Sequence, residues 1–202
     1  MIEIKDLGMT YGKNVIFEKY NHIFKPGTIT CIMGPSGKGK TTLIRCIAGL
    51  NKPTAGEVLF NNEKITKPHK EIFMMHQHYT NFPWKTCLDN VLFPIAIKRK
   101  PTLEDVKQAC SLLDLVGLDN HANKYPSELS GGMNQRLAFA RLLMAKPKVV
   151  LMDEPMSALD KDTRRDMQNI LKNFKKEINA TIIMITHDRR EAEYLADEII
   201  DF

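Results

Sequence analysis

The sequence predicts an α/β fold: a mostly parallel sheet carrying a phosphate-binding loop, an antiparallel β flank, and an inserted α-helical subdomain. Three observations carry this. Gly34-Pro35-Ser36-Gly37-Lys38-Gly39-Lys40-Thr41 matches G-x-x-x-x-G-K-[ST], with the apolar run Thr28 to Met33 before it and the helical pattern Thr41 to Ile47 after it. Lys148-Val149-Val150-Leu151-Met152 runs into Asp153-Glu154, as a central parallel strand does when its carboxyl end opens on a ligand crevice. Between these, residues 86–145 show helical periodicity.

Taken in order, residues 1–30 and 56–75 read as β-rich and are expected to form the antiparallel flank. Ile2 and Ile4 alternate with Glu3 and Lys5, and Gly56-Glu57-Val58-Leu59-Phe60 is a further strand. In the phosphate loop the glycines let the backbone wrap closely, so that successive N–H groups and a helix N-terminus face an anion. Lys40 adds a mobile charge for the β/γ-phosphates of a nucleoside triphosphate, and the Thr41 hydroxyl is placed to ligate Mg²⁺.

In the helical stretch Thr102 caps, Asp105 follows three later, and Leu103, Val106, Cys110, Leu113 and Val116 make one face that stops at Gly117. Ser130, in Leu129-Ser130-Gly131-Gly132-Met133, reads as the N-cap of a helix with Met133, Leu137, Ala140 and Met144 on one face. Asp153 is expected to hold Mg²⁺ and Glu154 to polarise an attacking water. The helix after Asp160 is expected to bury Met167, Ile170, Leu171, Phe174 and Ile178, and the strand Thr181 to Ile185 leads to His187.

With these motifs in this order, the chain resembles the ATP-binding subunit of ABC transporters over nearly all of its length, with a RecA-like P-loop NTPase core. Leu129-Ser130-Gly131-Gly132-Met133 resembles that family's signature motif. The resemblance implies that Tyr11 stacks on adenine and that Gly34 through Thr42 hold the phosphates. It also implies that Gln77 joins Mg²⁺ to the transporter contact, that Ser157-Ala158-Leu159-Asp160 crosses a dimer, and that His187 touches the γ-phosphate. ATP and Mg²⁺ are the implied cofactors. Residues 1–85 and 146–202 would form the nucleotide-binding core with its flank, and 86–145 the subdomain carrying the signature, within one domain over 1–202.

Each phosphate loop covers only one side of a triphosphate, so Ser130, Gly131 and Gly132 of a second copy are expected to close the other side. A homodimer, or a pair with a related subunit, follows. The resemblance places transmembrane permease subunits against Gln77 to Thr86. Phe82 and Trp84 there either line a groove for that partner or pack under the helical subdomain. Pro83-Trp84, Leu88-Asp89-Asn90-Val91 and Met133 look most like the nitrate, sulfonate and taurine importer group. His76, Asn81 and Lys85 stand where the family usually has apolar residues. The expected function is an energy-coupling ATPase of an importer. Its alternatives are an ABC-type ATPase of a non-transporting membrane complex, of the cell-division or lipoprotein-release type, or a soluble ABC protein acting on DNA or the ribosome. The last needs a long coiled coil or tandem cassettes, which the pattern does not offer.

Composition agrees. The 202 residues are 43% hydrophobic, enough for a sizeable core. No apolar run reaches the roughly 18 residues of a membrane span, and Met1-Ile2-Glu3-Ile4-Lys5 reads as a strand rather than a leader. A cytoplasmic protein, peripheral on the inner face of the membrane through its partner and without a nucleic-acid role, is expected. The chain stops at Phe202, soon after His187, so no regulatory extension is expected. Cys31, Cys46, Cys87 and Cys110 are too widely spaced for a metal site and read as reduced packing residues. His76 and His78 share one side of an extended segment, but no third ligand follows at useful spacing. The net charge of +5 is spread out, densest at Lys98-Arg99-Lys100.

Overall fold

The structure is a computed structural model, and it describes residues 1–75 and 81–202. His76, Gln77, His78, Tyr79 and Thr80 lie outside the described residues. In chain order the elements are β1 (Ile2–Tyr11), β2 (Asn14–Phe24), β3 (Ile29–Met33), α1 (Lys40–Ile47), β4 (Ala55–Phe60), β5 (Glu63–Lys64), β6 (Ile72–Met75), α2 (Cys87–Ala96), α3 (Leu103–Leu115), α4 (Gly131–Ala145), β7 (Val149–Asp153), α5 (Lys161–Ile178), β8 (Thr181–Ile185), α6 (Arg189–Leu195) and β9 (Glu198–Asp201). The chain divides into two compact units, one of residues 1–74, 147–154 and 172–202, the other of 75–146 and 155–171.

The first unit holds two sheets. One is antiparallel, in the order β2-β1-β4-β5; the other has the order β6-β7-β8-β3-β9, and its β7–β8, β8–β3 and β3–β9 pairs are parallel. β3, β7 and β8 are buried at every residue, which is why they read as unbroken apolar runs rather than alternations. Helix α1 brings Leu43, Ile44 and Ile47 into one core with Ile2, Ile4 and Phe24 of the antiparallel sheet and Leu151, Ile183 and Ile185 of the parallel one. The core therefore lies around the helix that follows the phosphate loop.

One expectation is corrected here. Ile72–Met75 does not belong to the antiparallel flank but is the edge strand β6 beside β7. The Glu71 carbonyl accepts from the N–H groups of Lys148 and Val149, both at 3.0 Å, and the Glu71 carboxylate meets Lys148 Nζ at 2.7 Å. Its four consecutive apolar residues suit that sheet better than an alternating strand would.

In the second unit α2, α3 and α4 pack on one another. The capping box on α3 is present: Asp105 N donates to Thr102 Oγ1 at 3.3 Å, and Thr102 N donates to Asp105 Oδ2 at 2.7 Å. Its buried face is Ala109, Leu113 and Val116, whereas Leu103 is 74% exposed and Cys110 is exposed. The difference has a local cause. Asp105 turns inward to bind Thr102 and the Arg99 guanidinium, at 2.6 and 2.8 Å, which sets 105, 109 and 113 on the inner face and rotates 103 and 110 outward. Helix α4 is buried almost all round from Asn134 to Met144 rather than along one stripe, with Met133 half-buried. Its Arg136 also donates to the Val116 and Gly117 carbonyls, closing the end of α3. In α5, Met167, Leu171 and Phe174 are buried and Ile170 and Ile178 half-buried.

Cys31, Cys46 and Cys87 are buried, and desolvation pushes their thiols up to about 12, 11 and 11, so they pack without reacting. Among the described residues no helix is long and apolar enough to cross a membrane.

The α3 cap yields a measurable consequence. Thr102→Ala should cost about 1 kcal/mol in thermal unfolding. Hydrogen bonds from Arg99 and Thr102 hold the Asp105 carboxyl well below the usual carboxylate range. A depressed pKa contributes stability above the unfolded value of about 4, lost as pH falls through the folded value. Asp105→Asn should therefore lower the melting temperature at pH 7 and differ progressively less from the parent as pH drops below about 4. A melting difference that is constant from pH 7 to pH 3 would remove the carboxylate from this account.

Candidate functional site

β3 ends at Met33, and the chain turns through Gly34 to Gly39 before α1 begins at Lys40. Gly34 has φ 136, and a Cβ there would lie 2.3 Å from the backbone oxygen of Phe202. Gly39, the N-cap of α1, has φ 95, and its Cβ would lie 2.3 Å from Ile16 Cγ2. Both ends of the loop thus need glycine for conformation and for space. Pro35, Ser36, Gly37 and Lys38 are exposed between them. No acidic residue occupies the first turn of α1, so the positive end of the helix and its free N–H groups are left for an external anion. Lys40 bends back over the loop, its Nζ donating to the carbonyls of Gly34 and Pro35 at 2.7 Å each. Thr41 is exposed and Thr42 half-buried on the first turn.

The same sheet edge gathers the acidic residues and the histidine. Asp153 ends β7 and is 6% exposed. Glu154 follows in a left-handed conformation, φ 48, its N–H donating to the Ile185 carbonyl at 3.1 Å. Its Oε2 lies 3.5 Å from Nδ1 of the exposed His187. The turn carrying His187 is fixed on both sides: the Thr186 N–H donates to the Ile32 carbonyl at 3.3 Å, and its hydroxyl donates to the buried Glu191 at 2.5 Å. Asp188 caps α6 through the N–H groups of Arg190 and Glu191. The phosphate loop, Asp153, Glu154 and His187 therefore stand at the carboxyl ends of neighbouring parallel strands. An anion cradle, a buried carboxylate and a carboxylate–imidazole pair at one edge suit phosphoryl chemistry with a positioned water.

Tyr11 closes β1, half-exposed, with its hydroxyl accepting from Asn51 Nδ2 at 2.9 Å. No pattern in the sequence points to Asn51, 40 residues from Tyr11 and brought to it by the fold.

In the second unit Ser130 caps α4, its Oγ accepting from Met133 N at 3.3 Å. Ser130 and Gly131 are exposed, and Gly132 is half-buried against Leu159 and Ala158. Asp160 accepts from the N–H groups of Thr163 and Asp162, and these bonds hold its carboxyl below the ordinary range. The two aromatics after the undescribed segment separate. Phe82 packs, its ring 4.2 Å from Phe93 and 5.1 Å under the Arg141 guanidinium, while Trp84 is 72% exposed. The buried Asn90 holds the turn between them, bonding the backbone of Phe82, Lys85 and Thr86. Gln77 falls on the undescribed residues. Asn134 and Arg141 were not singled out in the sequence, and Asn90 only as part of Leu88-Asp89-Asn90-Val91; polar residues inside otherwise apolar helical stretches were the available signal.

Compared with known proteins, residues 17–157 match the ABC transporter family model. The sulfate/thiosulfate import ATP-binding protein CysA 2 of Shewanella oneidensis is 41% identical over 206 residues, covering 98% of this chain and 58% of its own length. The nitrate import ATP-binding protein NrtD of Synechocystis sp. is 41% identical over 202 residues, covering 98% of this chain and 76% of its own. The spermidine/putrescine import ATP-binding protein PotA of Mannheimia succiniciproducens is 37% identical, with 99% and 54% covered. The chain thus spans between about half and three quarters of these relatives. Among solved structures, the dimeric bacterial ABC transporter cassette MJ0796 superposes with a TM-score of 0.90 at 33% identity, covering 100% of this chain and 94% of that one. Its post-hydrolysis dimer bound to ADP and Pi gives 0.89.

The collision at Gly34 can be tested directly. Gly34→Ala should cost about 1–3 kcal/mol, the scale of a residue forced into a disfavoured conformation, because Phe202 presents backbone and cannot simply rotate away. Equilibrium denaturation measures it, and an unchanged midpoint would mean the loop does not need glycine at that position.

Proposed function

This chain belongs to the ABC transporter family, and we propose that it is the ATP-hydrolysing, energy-coupling subunit of an importer. The observation that carries the reading is the shared sheet edge, where the Lys40 loop, Asp153 and the Glu154–His187 pair converge. The residues fit ATP and Mg²⁺: the glycine-framed loop leaves an anion cradle, and Thr41 and Asp153 offer the hard oxygens that Mg²⁺ takes, with Gln77 as a further ligand. When bound, ATP supplies the phosphoryl group whose hydrolysis drives the cycle, and Mg²⁺ neutralises its charge.

Each side chain then has a task. Tyr11 stacks on the adenine, and the backbone N–H groups within Gly34 through Thr42, Pro35 excepted, cradle the phosphates. Lys40 exchanges two backbone carbonyls for phosphate oxygens. Glu154 accepts the proton of the attacking water. His187, beside it, orients that carboxylate and contacts the γ-phosphate. Ser130 Oγ accepts a long bond from Met133 N, and a hydroxyl that accepts can also donate its own O–H. It serves, with the amides of Gly131 and Gly132, the nucleotide of a second copy or a paired ABC subunit. We read the unit containing 86–145 as the signature-bearing subdomain and 1–85 with 146–202 as the nucleotide-binding core.

The exposed Trp84, beside a packed Phe82, supports a permease contact over Gln77 to Thr86. Through it the protein is peripheral on the cytoplasmic face of a membrane. The relatives' names include sulfate, nitrate and polyamine import, so the transported substrate is set by the membrane and binding subunits rather than here.

Glu154→Gln keeps the shape but loses the proton acceptor. It should lower ATP turnover by about 10²- to 10⁴-fold while ATP and Mg²⁺ hold two copies together in gel filtration. Turnover at the parental rate would remove Glu154 from this role.

Ser130→Arg and Lys40→Ala should each be inactive alone, for different reasons: one blocks closure, the other loses the phosphate contact. Mixed in equal amounts they should recover up to about one quarter of parental activity. Half of the dimers are then mixed, and each has one intact composite site. A fully active Ser130→Arg protein would exclude a site shared between copies.

A further inference from the structure

A polar cluster in the second unit joins two features treated separately above. Asn134 lies in the first turn of α4 and is 7% exposed. Its Nδ2 donates to the Pro126 carbonyl at 2.9 Å and lies 3.3 Å from those of Leu129 and Ser130, so it stitches together the loop that leads into the Ser130 cap. Its backbone oxygen and Oδ1 both accept from Asn81 Nδ2, at 2.8 and 3.0 Å. Asn81 is followed directly by Phe82, whose ring centroid is 5.7 Å from that of Trp84. About two turns further along α4, Arg141 sits over the same Phe82 ring and reaches Asn90 at 3.5 Å. Helix α4 thus grips the 81–84 segment at two places, and one of them is the residue that shapes the Ser130 loop.

Neither asparagine is what packing alone would select. An asparagine inside a helix is locally unfavourable, and Asn81 Oδ1 is buried without a hydrogen-bond partner among the described residues. An apolar pair would fill the space without an orphaned acceptor. What the asparagines add is directional: two hydrogen bonds fix Asn81 to one position relative to the carbonyls of Leu129 and Ser130.

We propose that Asn81 and Asn134 are positioning residues that tie the Trp84 segment to the Ser130 cap, so that engagement of Ser130 with another copy's nucleotide is registered at Trp84. The link runs Ser130 carbonyl, Asn134 amide, Asn81 amide, Phe82, Trp84, every step a hydrogen bond, a ring contact or one peptide unit. This rests on the dimer reading above.

Trp84 is the chain's single tryptophan, so its fluorescence reports on this segment without labelling. In the Glu154→Gln protein, ATP with Mg²⁺ should change the acrylamide quenching of Trp84 as the two copies pair, with pairing followed independently by light scattering. Adding Asn81→Leu should leave the melting temperature and the monomer's nucleotide affinity near those of the parent. It should abolish the Trp84 response and weaken pairing about 2- to 30-fold, the usual size of a change along such a network. Asn81→Ser, which keeps a donor, should restore part of the response. In a double-mutant cycle, Asn81→Leu with Asn134→Leu should weaken pairing no more than the worse single change does. Additive losses, or a Trp84 response that survives Asn81→Leu, would overturn the positioning role. If the Glu154→Gln protein pairs while Trp84 stays silent, that role alone falls. If ATP drives no pairing at all, the dimer reading falls and takes the role with it.

Discussion

The parallel pairing of β3 with β8 and of β8 with β7 decides which residues can meet, because each strand delivers its chemistry one or two residues past its last ladder bond. Ile32 pairs with Ile185, and Asp153 pairs with the same Ile185. The ladder then continues for one more step on both sides, through the Thr186 N–H to the Ile32 carbonyl and the Glu154 N–H to the Ile185 carbonyl. Shifting either pair by one residue would turn alternate side chains to the other face and pull Glu154 away from His187. The full burial of all three strands makes such a slip costly, since every position carries an apolar side chain or an obligatory backbone bond. The core thus sets the active edge through register, without touching a ligand.

From that edge the loops take their strain. Gly34 holds positive φ against Phe202, and Gly39 against Ile16 and Phe17; Phe17 and Phe202 belong to one aromatic cluster with Tyr20. Burial pushes the Tyr20 hydroxyl up to about 12, with Glu198 adding to the shift, so the cluster stays neutral through any physiological pH. An uncharged backing suits the work proposed for the loop, presenting N–H groups to an anion. It adds no competing charge and cannot relax into the phosphate position.

The parts legible in the sequence were those in which chemistry and local conformation coincide. The glycine loop between a buried strand and a helix, the carboxylates after Val149 to Met152, and the Ser130 cap each lie within a dozen consecutive residues, so pattern sufficed. What the pattern missed depends on partners far along the chain. Ile72–Met75 reads as one more strand of the flank until residues 147–149 bring β7 beside it. The inner face of α3 differs from the periodic pattern because Asp105, legible as the partner of the Thr102 cap, also pairs with Arg99, and that pair sets the rotation of the helix. Asn134 was passed over because a residue next to a recognised motif draws little notice, and its partner Asn81 is far off in sequence.

Glu154 shows a different limit, because the residue is legible in the sequence while its backbone conformation is not. A glutamate has a Cβ that disfavours φ 48, and nothing in its neighbours' sequence predicts that conformation. In that conformation its N–H continues the ladder to Ile185 while its side chain lies toward His187. Local propensity would choose glycine or asparagine at this position, and either would lose the carboxylate. The residue that best suits the backbone is therefore not the one the chemistry needs. The buried strands β7 and β8 absorb that conflict, which is a physical reason for a regular part of the fold to lie directly beneath a strained residue.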